Sequence, residues 1–308
     1  MKMKLQRIFL LTAVYFVFGI ISPAMNIAGA AMQKKTINKN GIVADLFFNK
    51  GAVNQRPLIL LGGAEGGKAL SKWTKEINGL VQHGYAVLVP AYFGLKGLPP
   101  TLQSIPLEYF EKTIDWITSQ TFVNPNGVGI IAGSKGSEAA LLLATMNHNI
   151  KAVVAIAPSA YVFWGIRGPG GKNQITSSWS YRGKDIPFAP VVSSDEKIIK
   201  AMKTHKFLQL YSEATRSPKA IKARIRVEKA KAPILFVSGR RDELWPSYNM
   251  ARSMIKRLKE TKYPYYYKHL TYNVGHNVIH EVPESWNEIL SFLKVNYPSS
   301  AKMTRKAN

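Results

Sequence analysis

GVGIIAGSKGSEAALLLATM, residues 127–146, is the stretch from which the rest of the chain can be read. It begins with an apolar run at 128–132, turns through Gly133-Ser134-Lys135-Gly136 and continues to Met146 in residues rich in Ala and Leu. That pattern predicts a buried strand, a sharp turn and a packed helix. A serine at the apex of a strand-to-helix turn is the layout of a nucleophile elbow. There G-x-S-x-G supplies small flanking residues, so that the chain folds back without clashes. Here the run is Ala132-Gly133-Ser134-Lys135-Gly136, with Ala in the place of the first glycine. An ordinary Gly-Ser turn has the same outline, so a chemical role for Ser134 needs partners elsewhere in the chain.

The chain has 308 residues, enough for one large α/β domain or two small ones. Hydrophobic residues make up 46%, which supports a sizeable core and argues against global disorder. There is no cysteine, which removes disulfides, thiolate metal sites and a cysteine nucleophile together. The formal charge of +24 favours acidic partners such as nucleic acid, anionic lipid headgroups or phosphorylated substrates. At the N-terminus, Lys2, Lys4 and Arg7 precede a 14-residue apolar stretch at 8–21, which is short for a membrane span. Ser22-Pro23 breaks it, and Ala28-Gly29-Ala30 supplies small residues for cleavage before Ala31. The expectation is a signal peptide at 1–30 and an exported, periplasmic or secreted protein, with an uncleaved anchor as the alternative. Loss of those three cations leaves 24 − 3 = +21.

Along the remaining chain, 41–49 alternates weakly and predicts an edge strand, and 57–61 is a continuous apolar run suited to a central strand covered on both faces. Gly62-Gly63-Ala64-Glu65-Gly66-Gly67 follows, then a predicted helix over 69–83, stopped by Gly84. A strand at 85–90, an amphipathic helix at 107–121, the elbow and a strand at 152–157 come next. From 158 to 192 the periodicity fails, and a stretch of that length without elements is usually functional. A helical stretch over 196–224 is interrupted near Ser217-Pro218. Alternation then resumes: a strand at 234–238, a helix at 246–260, a strand at 265–272 and a helix at 284–295. The expected organisation is one catalytic domain at 31–298, with a cap insertion at about 158–224 over the carboxyl edge of a mainly parallel sheet, and a polar tail at 299–308.

If Ser134 is a nucleophile, a carboxylate and then a histidine must follow it along the chain. The serine hydroxyl needs an imidazole to take its proton, and a buried carboxylate must fix the tautomer of that imidazole. His83, His148, His205 and His269 precede Asp242 or lie inside a predicted element. His276, after Asn273-Val274-Gly275 on the loop leaving the last strand, is the expected base, and His280 reads as a surface or helix-start residue. Asp242 follows the strand at 234–238 through Gly239-Arg240-Arg241, which puts it at the carboxyl edge of the sheet. Glu243 is the fallback, and an N-cap is the alternative role for Asp242. The oxyanion hole is expected from the backbone N–H of Lys135 and from the glycine loop, at Ala64 within one residue. That loop lacks phosphate-cradle spacing, since Gly67-Lys68 is followed by Ala69. The order Ser, Asp, His is that of the α/β-hydrolase fold. The expected fold class is therefore α/β, with a mainly parallel central sheet, helices on both faces and a cap insertion.

With these residues placed, the chain resembles the catalytic C-terminal domain of the acyl-CoA thioesterase and bile acid-CoA:amino acid N-acyltransferase family over about 41–297. The matching stretches are GGAEGG (62–67), AYFG (91–94), IPLEYFEKTIDW (105–116), GSKGSEAAL (133–141), WSYRGKDIPF (179–188), the run 227–247 with its LWPS, and Gly275-His276. The resemblance implies that the family's catalytic Ser or Cys, Asp and His fall on Ser134, Asp242 and His276. A serine here looks more like the hydrolytic members than the amino acid-conjugating ones. Three features depart from the pattern: Ala132 at the elbow, only residues 31–40 where the family's N-terminal β-sandwich domain would stand, and a signal-like N-terminus in a family that works where CoA is available.

The expected function is a serine hydrolase that cleaves acyl thioesters through a Ser-His-Asp triad and an acyl-enzyme. The alternatives are an exported carboxylesterase or lipid-acting hydrolase of the same fold, and a catalytically silent, basic surface-binding protein. No metal and no cofactor is called for. Residues 197–231 hold eleven Lys or Arg and two Glu. A solvated helical face accounts for such a run, as does attraction of an anionic group, either the phosphates of CoA or an anionic membrane surface. Nucleic acid is not expected, since no recognised module is present.

Overall fold

The computed structural model describes residues 32–303. The expected signal peptide, and residues 304–308 of the expected tail, lie outside them. Eight strands form one sheet: β1 (Met32–Lys39), β2 (Ile42–Asn49), β3 (Arg56–Leu61), β4 (Tyr85–Ala91), β5 (Val128–Gly133), β6 (Ile150–Ile156), β7 (Ile234–Gly239) and β8 (Tyr267–Tyr272). Their spatial order is β1-β2-β4-β3-β5-β6-β7-β8. The first two pairings, β1 with β2 and β2 with β4, are antiparallel, and all later ones are parallel. The helices are α1 (Thr74–Gln82), α2 (Glu108–Thr118), α3 (Lys135–Met146), α4 (Asp195–Thr204), α5 (Leu208–Thr215), α6 (Ala220–Ala223), α7 (Ser247–Glu260), α8 (Val278–Glu281) and α9 (Ser285–Asn296). This is the expected α/β-hydrolase architecture.

The central strands are apolar on consecutive residues because both faces of the sheet are covered. In β3, Ile59 and Leu61 join one core with Phe110 of α2, Ala139 of α3 and Met254 of α7. Leu58 and Leu60 join the other, with Leu80 of α1 and Ile289 of α9. Period-2 side-chain alternation thus sends neighbouring residues into two separate helix layers. Among the described residues no helix is long and apolar enough to cross a membrane.

Several expected boundaries shift for identifiable reasons. The segment expected to be an edge strand, β2, lies inside the sheet, and β1 is the edge. In β1 only Ile37 is buried while Lys34, Lys35 and Lys39 are exposed, so its sequence hides a strand behind the charges that keep an edge from pairing further. The helix expected over 69–83 is a 3-10 turn at Ala69–Lys72 followed by α1. Trp73 sits between them and packs edge-on against Trp286 of α9, with ring centroids 6.1 Å apart. The helical stretch expected over 196–224 is three helices, because His205 takes a left-handed conformation (φ 53°) after α4 as well as the break before α6. The first residues of the expected tail are ordered. Ser299 donates to the Gly84 carbonyl at 2.7 Å, and Lys302–Met303 pairs with Ala52–Val53.

The insertion between β6 and β7 lies against the loop that follows β4. Trp179–Tyr181 pairs with Ile105–Pro106 on one side and Lys184–Asp185 on the other. Its entry and exit are paired antiparallel: Val162 donates to the Ala223 carbonyl at 2.8 Å and Ile225 to the Ala160 carbonyl at 2.9 Å. A cap anchored at both ends has few ways to detach without losing these bonds.

At the far side of the sheet, Ser238 and His269 are hydrogen-bonded at 2.7 Å across β7 and β8. Burial, and then Arg252 and Arg240, pull the His269 pKa down to about 4. The unfolded chain takes up this proton near 6.5, so between those values the unfolded state binds more protons than the native one. The contribution of His269 is fully present above pH 6.5 and is lost as the pH falls towards 4. In His269→Gln, the fall in thermal midpoint between neutral pH and pH 4 should be smaller than in the parent, as measured by calorimetry at matched pH values.

Candidate active site

Ser134 stands between β5 and α3 with φ 51° and ψ −124°, a region that a residue with a side chain rarely occupies. The strain puts the hydroxyl at the apex of the turn, as the elbow motif predicts. It is sustained by close packing on the neighbouring strand. A Cβ on Gly136 would lie 2.2 Å from the Gly62 carbonyl and 2.8 Å from that of Leu61, so this glycine is required. Ala132, in the place of the first elbow glycine, is fully buried inside β5, opposite Leu61 and Ala155. Its methyl is part of the core, which explains why the departure from G-x-S-x-G is tolerated.

Asp242 and His276 come together at the ends of β7 and β8. The His276 Nδ1 lies 2.9 and 3.0 Å from the two carboxylate oxygens of Asp242, and both residues are buried. Asp242 is itself fixed: its Oδ1 accepts from the backbone N–H groups of Leu244 and Trp245, and its Oδ2 from the Ser247 hydroxyl at 2.5 Å. It therefore holds the turn that leads into α7, whose N-cap is Pro246 and not Asp242, as well as orienting the imidazole. Engagement of Nδ1 leaves Nε2 as the nitrogen free for proton transfer. The fallback acid Glu243 is exposed, and so is His280, in α8.

Two cavities meet where Ser134 and His276 stand, and both residues line both of them. The first, about 450 Å³, runs under the cap between Trp164, Ile166, Ile198, Met202, Leu210 and Tyr211. The second, about 550 Å³, opens on the other side, between the glycine loop with Glu65 and the segment Asn277 to His280. Ala64 also lines both. Its loop is pinned from two directions. Tyr92 donates its hydroxyl to the Gly62 and Gly63 carbonyls at 2.6 and 2.9 Å, and the Gly63 N–H donates to the Glu65 carboxylate at 2.9 Å. A Cβ on Gly63 would come within 2.8 Å of the Ser134 Cβ, so glycine lets this loop reach the elbow.

One part of the site escapes the sequence. The Lys135 side chain, which reads as a solvated turn residue, is almost completely buried. Its ammonium donates to Glu138 Oε1 at 2.9 Å, to the Ser178 hydroxyl at 2.9 Å and to the Trp164 carbonyl at 3.2 Å. The other oxygen of Glu138 accepts from the Phe163 N–H at 3.2 Å and the Trp179 indole at 3.1 Å. The rings of Phe163, Trp245 and Tyr211 surround the ammonium at 5.6–6.0 Å. Burial pulls the Lys135 pKa down and pushes the Glu138 pKa up, and each partner opposes the shift of the other. The available signal is Lys and Glu three residues apart on the elbow helix, within reach of each other on one face. Removing one member strands a buried charge. Lys135→Met should therefore lower stability by about 3–5 kcal/mol in urea titration. Adding Glu138→Gln, which removes the lone charge and keeps an acceptor for Trp179, should recover part of that loss.

Residues 105–285 match the family described as BAAT / Acyl-CoA thioester hydrolase C terminal. The chain is 29% identical to mouse acyl-coenzyme A amino acid N-acyltransferase 1 over 231 residues, 75% of this chain and 50% of that protein. It is 30% identical to human acyl-coenzyme A thioesterase 1 over 180 residues, 58% of this chain and 39% of that protein. It thus spans half or less of the length of these relatives. Among solved structures, the Pyrococcus furiosus esterase Pf2001 aligns with a TM-score of 0.54 at 17% identity, covering 87% of this chain and 92% of that one. A puromycin-hydrolyzing peptidase from Mycobacterium tuberculosis aligns at 0.56 and 14% identity, covering 87% and 39%. At these identities the structural likeness carries the fold, and the sequence matches carry the family: the chain belongs to the BAAT / acyl-CoA thioester hydrolase C-terminal family.

Proposed function

We propose that this protein is a serine hydrolase of acyl thioesters or esters, with Ser134 as nucleophile, His276 as general base and acid, and Asp242 as the group that holds His276. The observation that carries the reading is a histidine locked by a buried aspartate, lining the same two cavities as a serine held in a strained backbone conformation. His276 Nε2 takes the Ser134 proton as the oxygen attacks the acyl carbonyl, and the resulting imidazolium is stabilised by Asp242. The tetrahedral oxyanion is met by the backbone N–H groups of Lys135 and Ala64, with the N-terminus of α3 adding its positive end. Collapse expels the thiol or alcohol, which takes the proton from His276. Water, activated by the same imidazole, then releases the acid.

The two cavities suit the two halves of such a substrate. The apolar lining under the cap suits an acyl chain, and the second cavity suits the leaving group and the attacking water. An acyl-CoA is the substrate class suggested by the thioesterase relatives. The cationic stretch at 197–231 offers an anionic partner, either the phosphates of CoA or a lipid surface. Export through the N-terminal segment would instead favour a carboxylester or lipid ester, because CoA is scarce outside the cytoplasm.

The purified protein should be labelled by a fluorophosphonate probe and should turn over a panel of acyl-CoA thioesters and simple esters. Ser134→Ala should abolish labelling and lower kcat by roughly 10^4-fold to 10^6-fold, and Asp242→Asn should lower it by roughly 10^4-fold. Undiminished turnover in Ser134→Ala rejects the reading. Amide formation in the presence of free glycine would redirect it to acyl transfer.

A further inference from the structure

The cap leaves an apolar edge uncovered beside the mouth of the first cavity. At about 100° per residue, α4 carries Ala201, Ile198, Met202 and Ile199 in that order over an arc of roughly 160°. Ala201 is buried and Ile198 half-buried, but Met202 is 63% and Ile199 52% exposed. Val192, just before the helix, is 52% exposed, and Ile175 across the cavity mouth 53%. Of these residues, Ile175, Ile198 and Met202 line the cavity itself, so its rim is aliphatic and faces outward.

The border of that rim is predominantly basic. Lysines Lys203 and Lys200 follow Ile199 around the wheel with the exposed Glu196 between them, and a third, Lys206, lies two residues beyond the helix. Among the described residues these three form no ion pair, whereas Lys197 is matched by Glu213 at 2.8 Å. A soluble nucleotide would use such lysines in a concave cradle and would gain nothing from convex, solvent-facing Ile199 and Val192. A bilayer uses both: acyl tails take up the aliphatic edge while anionic headgroups meet the ammonium groups at its border.

We infer that the α4 face of the cap docks on an anionic lipid surface, with Ile199, Met202 and Val192 entering the headgroup boundary and Lys200, Lys203 and Lys206 pairing with lipid phosphates. The acyl cavity then opens towards the layer from which an acyl substrate would be drawn. That purpose rests on the hydrolase reading above, but the docking does not, so the two are tested apart.

Binding is measured by co-sedimentation of the Ser134→Ala protein with phosphatidylcholine vesicles, with and without added phosphatidylglycerol. The expected result is partition to the anionic vesicles only, weakened by salt. Each of Lys200→Gln, Lys203→Gln and Lys206→Gln should weaken partition about fivefold. Ile199→Glu combined with Val192→Glu should abolish it, while hydrolysis of a water-soluble short-chain ester by the Ser134 form of that variant is unchanged. Absence of partition to anionic vesicles overturns the assignment. So does binding that survives Ile199→Glu and Val192→Glu, which would be adhesion of a basic protein, or binding that free CoA displaces, which would assign the lysines to a nucleotide.

Discussion

The buried ammonium of Lys135 is the contact on which the geometry of this protein turns. It extends from the first residue of α3, directly after Ser134, into a space enclosed by the cap. A charge is stable there only if it is paired and hydrogen-bonded. Glu138 pairs it from the same helix, while Ser178 and the Trp164 carbonyl complete it from the cap. Glu138 in turn holds the Phe163 N–H and the Trp179 indole. Four polar contacts therefore tie the elbow helix to the segment that roofs the first cavity. Moving the cap relative to the elbow would strip partners from two buried charges, so the distance between Ser134 and the roof is set by electrostatics as well as by apolar packing.

Much of the fold was legible in the sequence because a sheet covered on both faces demands uninterrupted apolar strands. Runs such as Leu58 to Leu61 and Val153 to Ile156 have few other uses in a chain of this length. What was not legible lies where local pattern and tertiary role diverge. The first strand carries a single buried side chain, Ile37, and its partnership with β2 replaces the internal alternation that would announce it. The first part of the cap, 158–192, shows no periodicity because it is held by isolated bridges such as Leu102 to Ile166 and by interlocking rings, with Trp164 stacked on Tyr211 at 4.4 Å. Neither device has a repeat that sequence reading can detect.

The site divides in the same way. Ser134, Asp242 and His276 could be located because each sits just past the carboxyl end of a strand, where a parallel sheet brings distant residues to one rim. The structure joins two of them by direct hydrogen bonds and puts the third in shared cavities with His276. The dual duty of Asp242 was visible only as two competing roles. In the structure the N-cap of α7 is Pro246, and Asp242 instead holds the turn before the helix through the N–H groups of Leu244 and Trp245 and the Ser247 hydroxyl, which leaves access for the imidazole. Lys135 and Glu138 were not visible as buried groups, because charged residues in a turn and on a helix face are read as solvated by default.

Net charge and cavity chemistry also belong to different layers of the molecule. The wall of the first cavity is largely apolar even though the chain carries +24: of the cations that line it, Lys135 is buried and matched by Glu138, and Arg167 is exposed and donates to the Asn173 carbonyl. That separation has a mechanistic use. A hydroxyl, an imidazole and a carboxylate act most effectively in a site from which competing water and unmatched charges are kept away. A basic exterior can meanwhile concentrate an anionic partner without entering the reaction. Both kinds of residue stand on one short helix of the cap. Ile198 and Met202 of α4 contribute to the cavity wall, and Lys203 and Lys200 face solvent roughly 100° and 160° round the wheel from Met202. Lys200 and Lys203 can therefore be exchanged without altering the wall of the first cavity, which neither of them lines.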